Sequence, residues 1–431
     1  MAQSTGPHRV AIVAGVRTPF VKAGTVFAGL TALDLGRIAV QELVQRSDVD
    51  PLEIDQCVFG QVIPTLTATS IAREVVLAAG LPRRIEAHTA VRACATSLQA
   101  LVDAGNAIAL GQSHVAIAGG TESMSDPPIF TSRPLAQALV QSSRARSLPE
   151  KLRPFQRLKP KDLIPVPPAI AEYSTGMTMG ESAEKMAKEN GITRREQDEI
   201  ALASHRNAAA AWKAGKFDGE VVHVPVPPRY EETAAADNIV REDTTLEALL
   251  ALKPVFDRRY GSVTAGNSSP LTDGAAALLV MSEARAKALG KQPLGYLRSW
   301  AFAATDPADQ LLQGPAYAAP IALDRAGMSL KDIDLVEMHE AFAAQVASNL
   351  QALASTTFAK KLGRAGPVGE VDRSRLNVNG GSISLGHPFA ATGARIVTQA
   401  LRELQRRNKS TALCTVCAAG GLGAAIVLER A

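Results

Sequence analysis

The chain has 431 residues and a formal net charge of only +4. This length is more than one compact core usually holds, and the hydrophobic content of 46% argues against disorder, so we expect two or three globular domains. Aromatic residues make up 4% of the chain; because few rings can stack on bases, the composition gives little reason to expect nucleic-acid binding.

The first predicted element is an apolar strand from Val10 to Gly15, which follows the N-terminus almost directly. The residues before it lack a basic region followed by a long apolar core, so the sequence predicts no signal peptide. No stretch approaches the ~20 apolar residues that a membrane-spanning helix needs. So few cysteines in a long chain indicate free thiols in a reducing, cytoplasmic compartment. They are Cys57, Cys94, Cys414 and Cys417.

Residues 1–125 alternate short apolar runs with helical patterns, which is typical of an α/β unit. The predicted strands are RVAIVAG, QCVFGQVI, HTAVRA and HVAIAGG. The predicted helices between them are TALDLGRIAVQELVQRS, ATSIAREVVLAAG and TSLQALVDAGNAIALG. We expect this unit to be completed by about residues 251–292.

Residues 126–250 begin with a long Pro-rich, basic stretch that has no clean periodicity. Because a bare loop of this length is rare inside an α/β protein, we predict an inserted, partly helical domain. The stretch 126–175 is either a solvated surface or a contact for anionic phosphates, a membrane or a partner subunit. Its basic residues are Arg133, Arg144, Arg146, Lys151, Arg153, Arg157, Lys159 and Lys161.

Residues 293–431 return to the α/β pattern. The helix PFAATGARIVTQALRELQRRN is followed by the strand STALCTV and then by GAAIVLE. The first half has a similar order of helix and strand near Cys94, so the sequence predicts an internal duplication.

Cys94 lies in VRACATS, between a short strand and an amphipathic helix. Unpaired N–H groups and the positive end of the helix dipole favour a thiolate there, so we expect a lowered thiol pKa and a nucleophile. A small buried residue is the alternative.

His387 follows a Gly- and Ser-rich loop and opens a helix, so we expect a neutral imidazole that can accept a proton. Gly380, Gly381 and Gly386 are expected to let the backbone approach a ligand. His339 ends the strand DLVEM. A zinc-protease motif needs a second histidine four residues on, and Ala343 excludes it.

Cys414 and Cys417 form a C-x-x-C pair. A zinc ribbon needs a second such pair, and a thioredoxin-like dithiol needs a following helix, so both interpretations are disfavoured. We expect Cys414 to be packed in a strand and Cys417 to face a cavity. GGLGAA lacks the order of a dinucleotide fingerprint, so no nicotinamide, flavin or nucleotide cofactor and no metal is predicted.

Seven motifs in order resemble the thiolase family over nearly the whole chain. They are RTPF (17–20), CATSLQA (94–100), GGTESMS (119–125), TAGNSSPLTDGAAA (264–277), HEAF (339–342), NVNGGSISLGHPFAATGAR (377–395) and CAAGGLGAA (417–425). The resemblance implies a thiolase-like α/β fold, with two similar βαβ-type halves in a five-layered α-β-α-β-α core and an inserted loop domain.

The same resemblance implies the site. Cys94 would be the acylated nucleophile, His387 its base and Cys417 the second acid/base. His339 and His387 would stabilise the enolate, and the backbone N–H groups of Cys94 and Ala419 the acyl oxyanion. By weaker analogy, Ser269 would touch the pantetheine arm and Met179 would line the acyl cavity.

Many thiolases have Asn where this chain has His339. The His form resembles the β-subunit (3-ketoacyl-CoA thiolase) of the fatty-acid-oxidation trifunctional complex. This implies ping-pong cleavage of 3-ketoacyl-CoA in β-oxidation, with coenzyme A as substrate rather than cofactor. It also implies a homodimer, a hydratase/dehydrogenase α-subunit as partner and peripheral membrane contact.

Four alternatives remain open. An acetoacetyl-CoA thiolase usually has the Asn motif, which is absent here. Decarboxylating synthases of the same fold lack a second catalytic thiol. A non-catalytic subunit would not need Cys94, His387 and Cys417, and a redox protein would join Cys414 to Cys417.

Overall fold

The computed structural model describes residues 9–166 and 171–431. The start of the chain, on which the signal-peptide prediction rests, and four residues of the predicted insertion lie outside the described residues. The strands are β1 (Val10–Arg17), β2 (Val21–Lys22), β3 (Gln56–Gly60), β4 (Glu86–Ala90), β5 (Val115–Glu122), β6 (Val224–Pro225), β7 (Thr233–Ala234), β8 (Thr272–Ser282), β9 (Gly295–Ala304), β10 (Leu335–Met338), β11 (Thr411–Ala418) and β12 (Leu422–Arg430).

The α-helices complete the pattern of two α/β halves with a helical segment between them. They are α1 (Ala32–Ser47), α2 (Ile71–Ala78), α3 (Thr96–Ala109), α4 (Arg133–Arg144), α5 (Leu148–Leu152), α6 (Met179–Glu189), α7 (Arg194–Lys213), α8 (Leu246–Leu250), α9 (Glu283–Ala288), α10 (Gly314–Ala326), α11 (Ala343–Ala354), α12 (Thr356–Lys361), α13 (Ser382–Leu385) and α14 (Thr392–Arg407).

The strands form two sheets with the same order. The first runs β4-β3-β5-β8-β1, with β4, β3 and β5 parallel and the last two antiparallel to their neighbours. The second runs β10-β11-β12-β9, with β10 and β11 parallel. Leu376 bridges Val336 of β10 in parallel, at the position that β4 has in the first sheet. A short contact between β1 and β9 joins the two sheets.

Three buried hydrophobic clusters separate the layers. The central cluster contains α3 and α14 between the sheets. A second cluster packs α1 and α2 on the outer face of the first sheet, and a third packs α10 and α11 on the outer face of the second. Strand β8 is buried on both faces: Leu278 and Val280 enter the central cluster, and Leu279 and Met281 the outer one. The predicted five-layered fold with two similar halves is confirmed.

The two central helices approach each other closely at their N-terminal ends. A Cβ on Gly393 would lie 2.7 Å from Cγ of Leu98, so only glycine fits there without a shift. The Oγ of Ser97 also accepts a hydrogen bond from the N–H of Ala394 at 2.9 Å. This close packing places the loop before α3 beside the loop before α14.

The insertion divides into two parts. Helices α6 and α7 contribute Met186 and Ile200 to the outer cluster of the second half. The segment with α4 and α5 contacts mainly itself and exposes apolar side chains, including Ile129, Leu148 and Ile164. The predicted domain boundaries stay a prediction. Among the helices of residues 9–166 and 171–431, none is long and apolar enough to cross a membrane.

Candidate active site

Cys94 occupies a strained turn between β4 and α3. The residue before it, Ala93, has φ +43°, a left-handed conformation that costs a non-glycine residue about 1–3 kcal/mol. The hydroxyl of Thr96 holds the turn, because it accepts from the N–H of Arg92 at 2.8 Å and donates to the carbonyl of Ala93 at 2.7 Å. These hydrogen bonds maintain the strained turn, which places the half-buried thiol of Cys94 next to the start of a helix.

The thiol pKa differs from the sequence-based expectation. The backbone N–H groups of Cys94 and Ala419 hydrogen-bond Sγ and lower its pKa, as expected at a helix start. Burial has the larger effect and raises the pKa of Cys94 to about 12. The predicted lowering was therefore wrong: burial favours the neutral thiol, which becomes a nucleophile only when a base takes its proton.

His387 lies next to that thiol. Its Nε2 is 3.1 Å from Sγ of Cys94, and its Nδ1 is 2.7 Å from Oγ1 of Thr392. Its backbone N–H donates to Oγ1 of Thr272 at 2.8 Å, and Gly386 before it has φ +105°, which favours glycine. Helix α14 begins at Thr392, not directly after His387 as the sequence pattern predicted.

The pKa of His387 is lowered to about 3, first by burial and then by the charge of Arg395. The expected neutral imidazole is thus present, although burial is the main cause. A neutral imidazole within hydrogen-bond distance of a thiol can accept its proton.

His339 lies beside His387, with ring centroids 4.0 Å apart. Its Nδ1 is 2.7 Å from Oγ of Ser382, and this hydroxyl oxygen accepts a hydrogen bond from Nη2 of Arg395 at 2.9 Å. Burial, and after it the proximity of His387 and Arg395, keeps the pKa of His339 well below its ordinary value. Its Nε2 is buried without a hydrogen-bond partner in the described residues. An unpaired buried polar group costs about 1–3 kcal/mol and is typical of a site that awaits a ligand.

Cys414 and Cys417 lie on opposite faces of β11. Cys414 belongs to the central cluster, and Cys417 to the outer one, and both thiols are free. Cys417 lies within the strand, which extends to Ala418, rather than after it as predicted. Burial, and secondarily the nearby Cys94, raises the pKa of Cys417, while the N–H of Ala341, which donates to Oε1 of Gln345 at 3.2 Å, acts in the opposite direction. Because both groups influence the pKa of Cys417, its thiol lies near the HEAF loop and near Cys94.

Ser269 and Met179 were predicted on weaker grounds. The N–H and Oγ of Ser269 both donate to the carbonyl of Ala341, at 2.9 and 3.1 Å. Met179 begins α6 and is partly buried against the core of the second half. Their roles toward pantetheine and the acyl chain stay predictions.

The glycines of the C-terminal loop pack against the protein itself. A Cβ on Gly381 would lie 2.2 Å from the carboxyl carbon of Glu340. That buried carboxylate accepts from Ser204, Asn377 and the N–H of Ile383, and so ties the HEAF loop to the loop before α14. We expected the backbone at Gly381 to approach a ligand. It instead approaches the side chain of Glu340.

Sequence reasoning did not single out Thr392 and Ser382, which contact the two histidines, or Arg395, which contacts Ser382. Hydroxyl-bearing and basic residues are common in such motifs, and His339, the partner of Ser382, lies 43 residues away along the chain. The only available signal was their position in the same motif as His387.

The ligand atoms of Cys94, His339 and His387 lie within 4.8 Å of one another. Thiol and imidazole groups are also zinc ligands, and catalytic zinc sites use three protein ligands, so these residues could hold a metal. The same groups also provide a thiol that can act as a nucleophile (Cys94), an imidazole that can accept its proton (His387) and a buried imidazole nitrogen without a partner among the described residues (Nε2 of His339). The expected absence of a metal stays a prediction.

Known proteins and family models match nearly the whole chain. Family models described as "Thiolase, N-terminal domain" and "Thiolase, C-terminal domain" match residues 10–284 and 291–430. A 3-ketoacyl-CoA thiolase of Serratia proteamaculans is 55% identical over 98% of this chain and 97% of that protein. One of Yersinia enterocolitica is 54% identical with the same coverage.

Solved structures are similar as well. The Bacillus anthracis acetyl-CoA acetyltransferase has a TM-score of 0.85 and 35% identity, covering 99% of this chain and 100% of that one. Human mitochondrial 3-ketoacyl-CoA thiolase has a TM-score of 0.83 and 31% identity, with the same coverage.

Proposed function

The chain belongs to the thiolase family of acyltransferases, and we propose that it cleaves 3-ketoacyl-CoA with CoA to acetyl-CoA and a shortened acyl-CoA in fatty acid β-oxidation. One observation carries the proposal: the thiol of Cys94 lies 3.1 Å from a neutral imidazole, His387, with two backbone N–H groups at its sulfur. Relatives that are 54–55% identical over nearly the full chain are named 3-ketoacyl-CoA thiolase, which supports this substrate class.

In the first half-reaction, His387 takes the proton of the Cys94 thiol as the sulfur attacks the 3-keto carbon. The bond between C2 and C3 then breaks, which leaves the acyl group on Cys94 and acetyl-CoA as an enolate. The thiol of Cys417 protonates C2 of this enolate and becomes a thiolate. Acetyl-CoA departs.

In the second half-reaction, the Cys417 thiolate takes the proton of an incoming CoA thiol. The CoA sulfur attacks the acyl group, and the sulfur of Cys94 leaves and recovers its proton from His387. Release of one product before the second substrate enters gives ping-pong kinetics.

Two oxygens gain negative charge in this sequence and need hydrogen-bond donors. The N–H groups of Cys94 and Ala419 already contact Sγ, so they are available to the oxygen of an acyl group bound there. His339 and His387 are the proposed donors to the thioester oxygen of the enolate. The unpaired Nε2 of His339 supports its part.

We also propose that the protein acts as a cytoplasmic homodimer with a hydratase/dehydrogenase partner subunit and touches a membrane peripherally. Four free cysteines support a reducing compartment. The segment with α4 and α5 supports the contact, because exposed Leu148, Leu152 and Ile164 lie among basic residues. Apolar side chains together with positive charge are the features that bind anionic lipid surfaces.

The test is CoA-dependent cleavage of 3-ketohexadecanoyl-CoA and of acetoacetyl-CoA by the purified protein, with Cys94→Ala as control. We expect faster cleavage of the long chain, abolished in the variant. Preference for acetoacetyl-CoA would support the second candidate, an acetyl-CoA C-acetyltransferase, which the similarity to the Bacillus anthracis enzyme favours. No cleavage of either substrate, with and without the partner subunit, would contradict the proposal.

A further inference from the structure

Ser382 connects a permanent cation to a histidine of the site. Its Oγ lies 2.9 Å from Nη2 of Arg395 and 2.7 Å from Nδ1 of His339. All three residues are buried, with exposed fractions of 0% for Ser382 and His339 and 1% for Arg395. At this depth no bulk water competes for these two hydrogen bonds, so their directions depend on what the three side chains can donate and accept.

The direction of the chain of hydrogen bonds follows from what each group can do. A guanidinium can only donate, so Ser382 accepts from Arg395. Within residues 9–166 and 171–431, Oγ of Ser382 has no other acceptor for its own hydrogen than Nδ1 of His339. If Nδ1 carried the hydrogen instead, the buried Ser382 hydroxyl would have no acceptor and Nε2 of His339 would have no donor, whereas a hydrogen on Nε2 leaves only Nε2 without a partner among the described residues.

We propose that Arg395 and Ser382 are positioning residues that keep His339 in the tautomer with its hydrogen on Nε2. Nδ1 of His339 then accepts from Ser382, and Nε2, which has no partner among the described residues, carries the hydrogen and can donate it on a ring that lies beside Cys94 and His387. The lowered pKa of His339 supports this, because a neutral ring has one hydrogen to place. The inference rests on the proposed function and refines it.

The two histidines then have opposite tasks. Nε2 of His387 must be free of hydrogen to take the proton of Cys94, whereas Nε2 of His339 must carry one to stabilise the enolate oxygen. The two neutral rings lie 4.0 Å apart, and the group that contacts Nδ1 of each ring determines which nitrogen carries the hydrogen. Thr392 is the partner of His387, and the Ser382–Arg395 pair is the partner of His339.

The first test reads the tautomer in the unaltered enzyme. Two-bond 15N–1H correlation spectra of protein with 15N-labelled histidine distinguish the ring nitrogen that carries hydrogen, and His339→Asn identifies the signals. We expect His339 as the Nε2–H form between pH 6 and 9. A hydrogen on Nδ1 would overturn the inference.

The second test compares Ser382→Asn with Ser382→Asp, two side chains of nearly equal size. Asn can accept from Arg395 and donate to Nδ1 of His339, as Ser382 does, whereas an ionised Asp can only accept and so draws the hydrogen to Nδ1. We expect kcat for 3-ketohexadecanoyl-CoA to be at least about tenfold higher for Ser382→Asn than for Ser382→Asp, since loss of a transition-state donor costs about 10²–10³-fold. KM should differ by less than about twofold, because the donor acts mainly on the enolate.

A purely structural role of Ser382 predicts a different result. Asp would then equal or exceed Asn, because it can form an ion pair with Arg395. Repeating both substitutions in the His339→Asn background completes the cycle: an amide at 339 has no tautomer to fix, so the ratio of the two kcat values should fall to within about twofold. An unchanged ratio in that background would overturn the inference.

These outcomes separate the inference from the proposed function. An unaltered enzyme without thiolytic activity would contradict the function, while the spectra would still report the tautomer. An active enzyme with equal Asn and Asp variants would contradict the inference alone.

Discussion

The loops that precede the two central helices occupy equivalent places in the two halves but differ in length and content. Before α3, residues 91–95 form a tight turn strained at Ala93, and they carry one reactive group, Cys94. Before α14, residues 377–391 form a longer loop that carries His387 and contacts His339 through Ser382. The duplicated scaffold brings two helix starts together, so that the proposed nucleophile lies in one loop and its proposed base in the other.

The difference teaches that similar halves need not share a task. The short turn has room for a small nucleophile and its backbone N–H groups. The long loop, fastened by the carboxylate of Glu340, carries His387, the proposed base, and Ser382, which contacts His339. Each of the following experiments removes one of the proposed reactive groups or measures its protonation.

The largest expected effect is that of Cys94→Ala, which removes the only chemical contribution that we assign to a side chain of the first loop. We expect kcat to fall by roughly 10⁴-fold or more, because no acyl-enzyme can form. Steady-state thiolysis and acyl-enzyme detection by mass spectrometry measure this. Cys57→Ala, which alters another buried thiol of the first half, should keep kcat within about threefold, and a comparable loss there would contradict the assignment.

His387→Asn removes the base of the second loop. We expect a loss in kcat of roughly 10³-fold, within the range for general acid–base catalysis. Single-turnover acylation of Cys94 by 3-ketohexadecanoyl-CoA should slow by the same factor, because the neutral thiol then has no proton acceptor. Acylation at the unaltered rate would show that His387 does not activate the thiol.

Cys417→Ala and Cys414→Ala form a matched pair on opposite faces of one strand. We expect Cys417→Ala to lower kcat roughly 10²-fold or more by removing the second acid/base, whereas Cys414→Ala should keep kcat within about twofold. Exchange of the C2 hydrogens of acetyl-CoA with D2O, followed by NMR, is the specific readout for the Cys417 step. Equal losses in the two variants would assign the effect to packing.

The smallest expected effect is that of pH. The pKa of His387 is lowered to about 3, so the base is neutral over the whole working range and becomes protonated only as pH falls toward that value. We therefore expect kcat/KM to stay within about threefold from about pH 5 to about pH 9. A histidine with its ordinary pKa of ~6.5 would instead lose about tenfold per unit below it. Such a decline, with the fold intact by circular dichroism, would contradict a buried neutral base.

Much of the fold could be predicted from local patterns. The alternating strands and helices of residues 10–122, and the order of helix and strand at 392–430, give the two halves. The start of α14 could not be placed, because residues 389–391 form a short 3₁₀ turn. Likewise, the end of β11 depends on its pairing with β12 up to Ala418 rather than on its own composition.

By itself, the sequence determined the reactive side chains of the proposed site: Cys94, His339, His387 and Cys417 each lie in a motif that could be recognised. Only the tertiary structure decided their protonation. Burial depends on all the layers around a side chain, and it raises the pKa of Cys94 and lowers that of His387 more strongly than the local helix start acts on either. The hydrogen bond from Arg395 through Ser382 to His339 likewise exists only because the packed second half brings a helix, a loop and a strand end to one point.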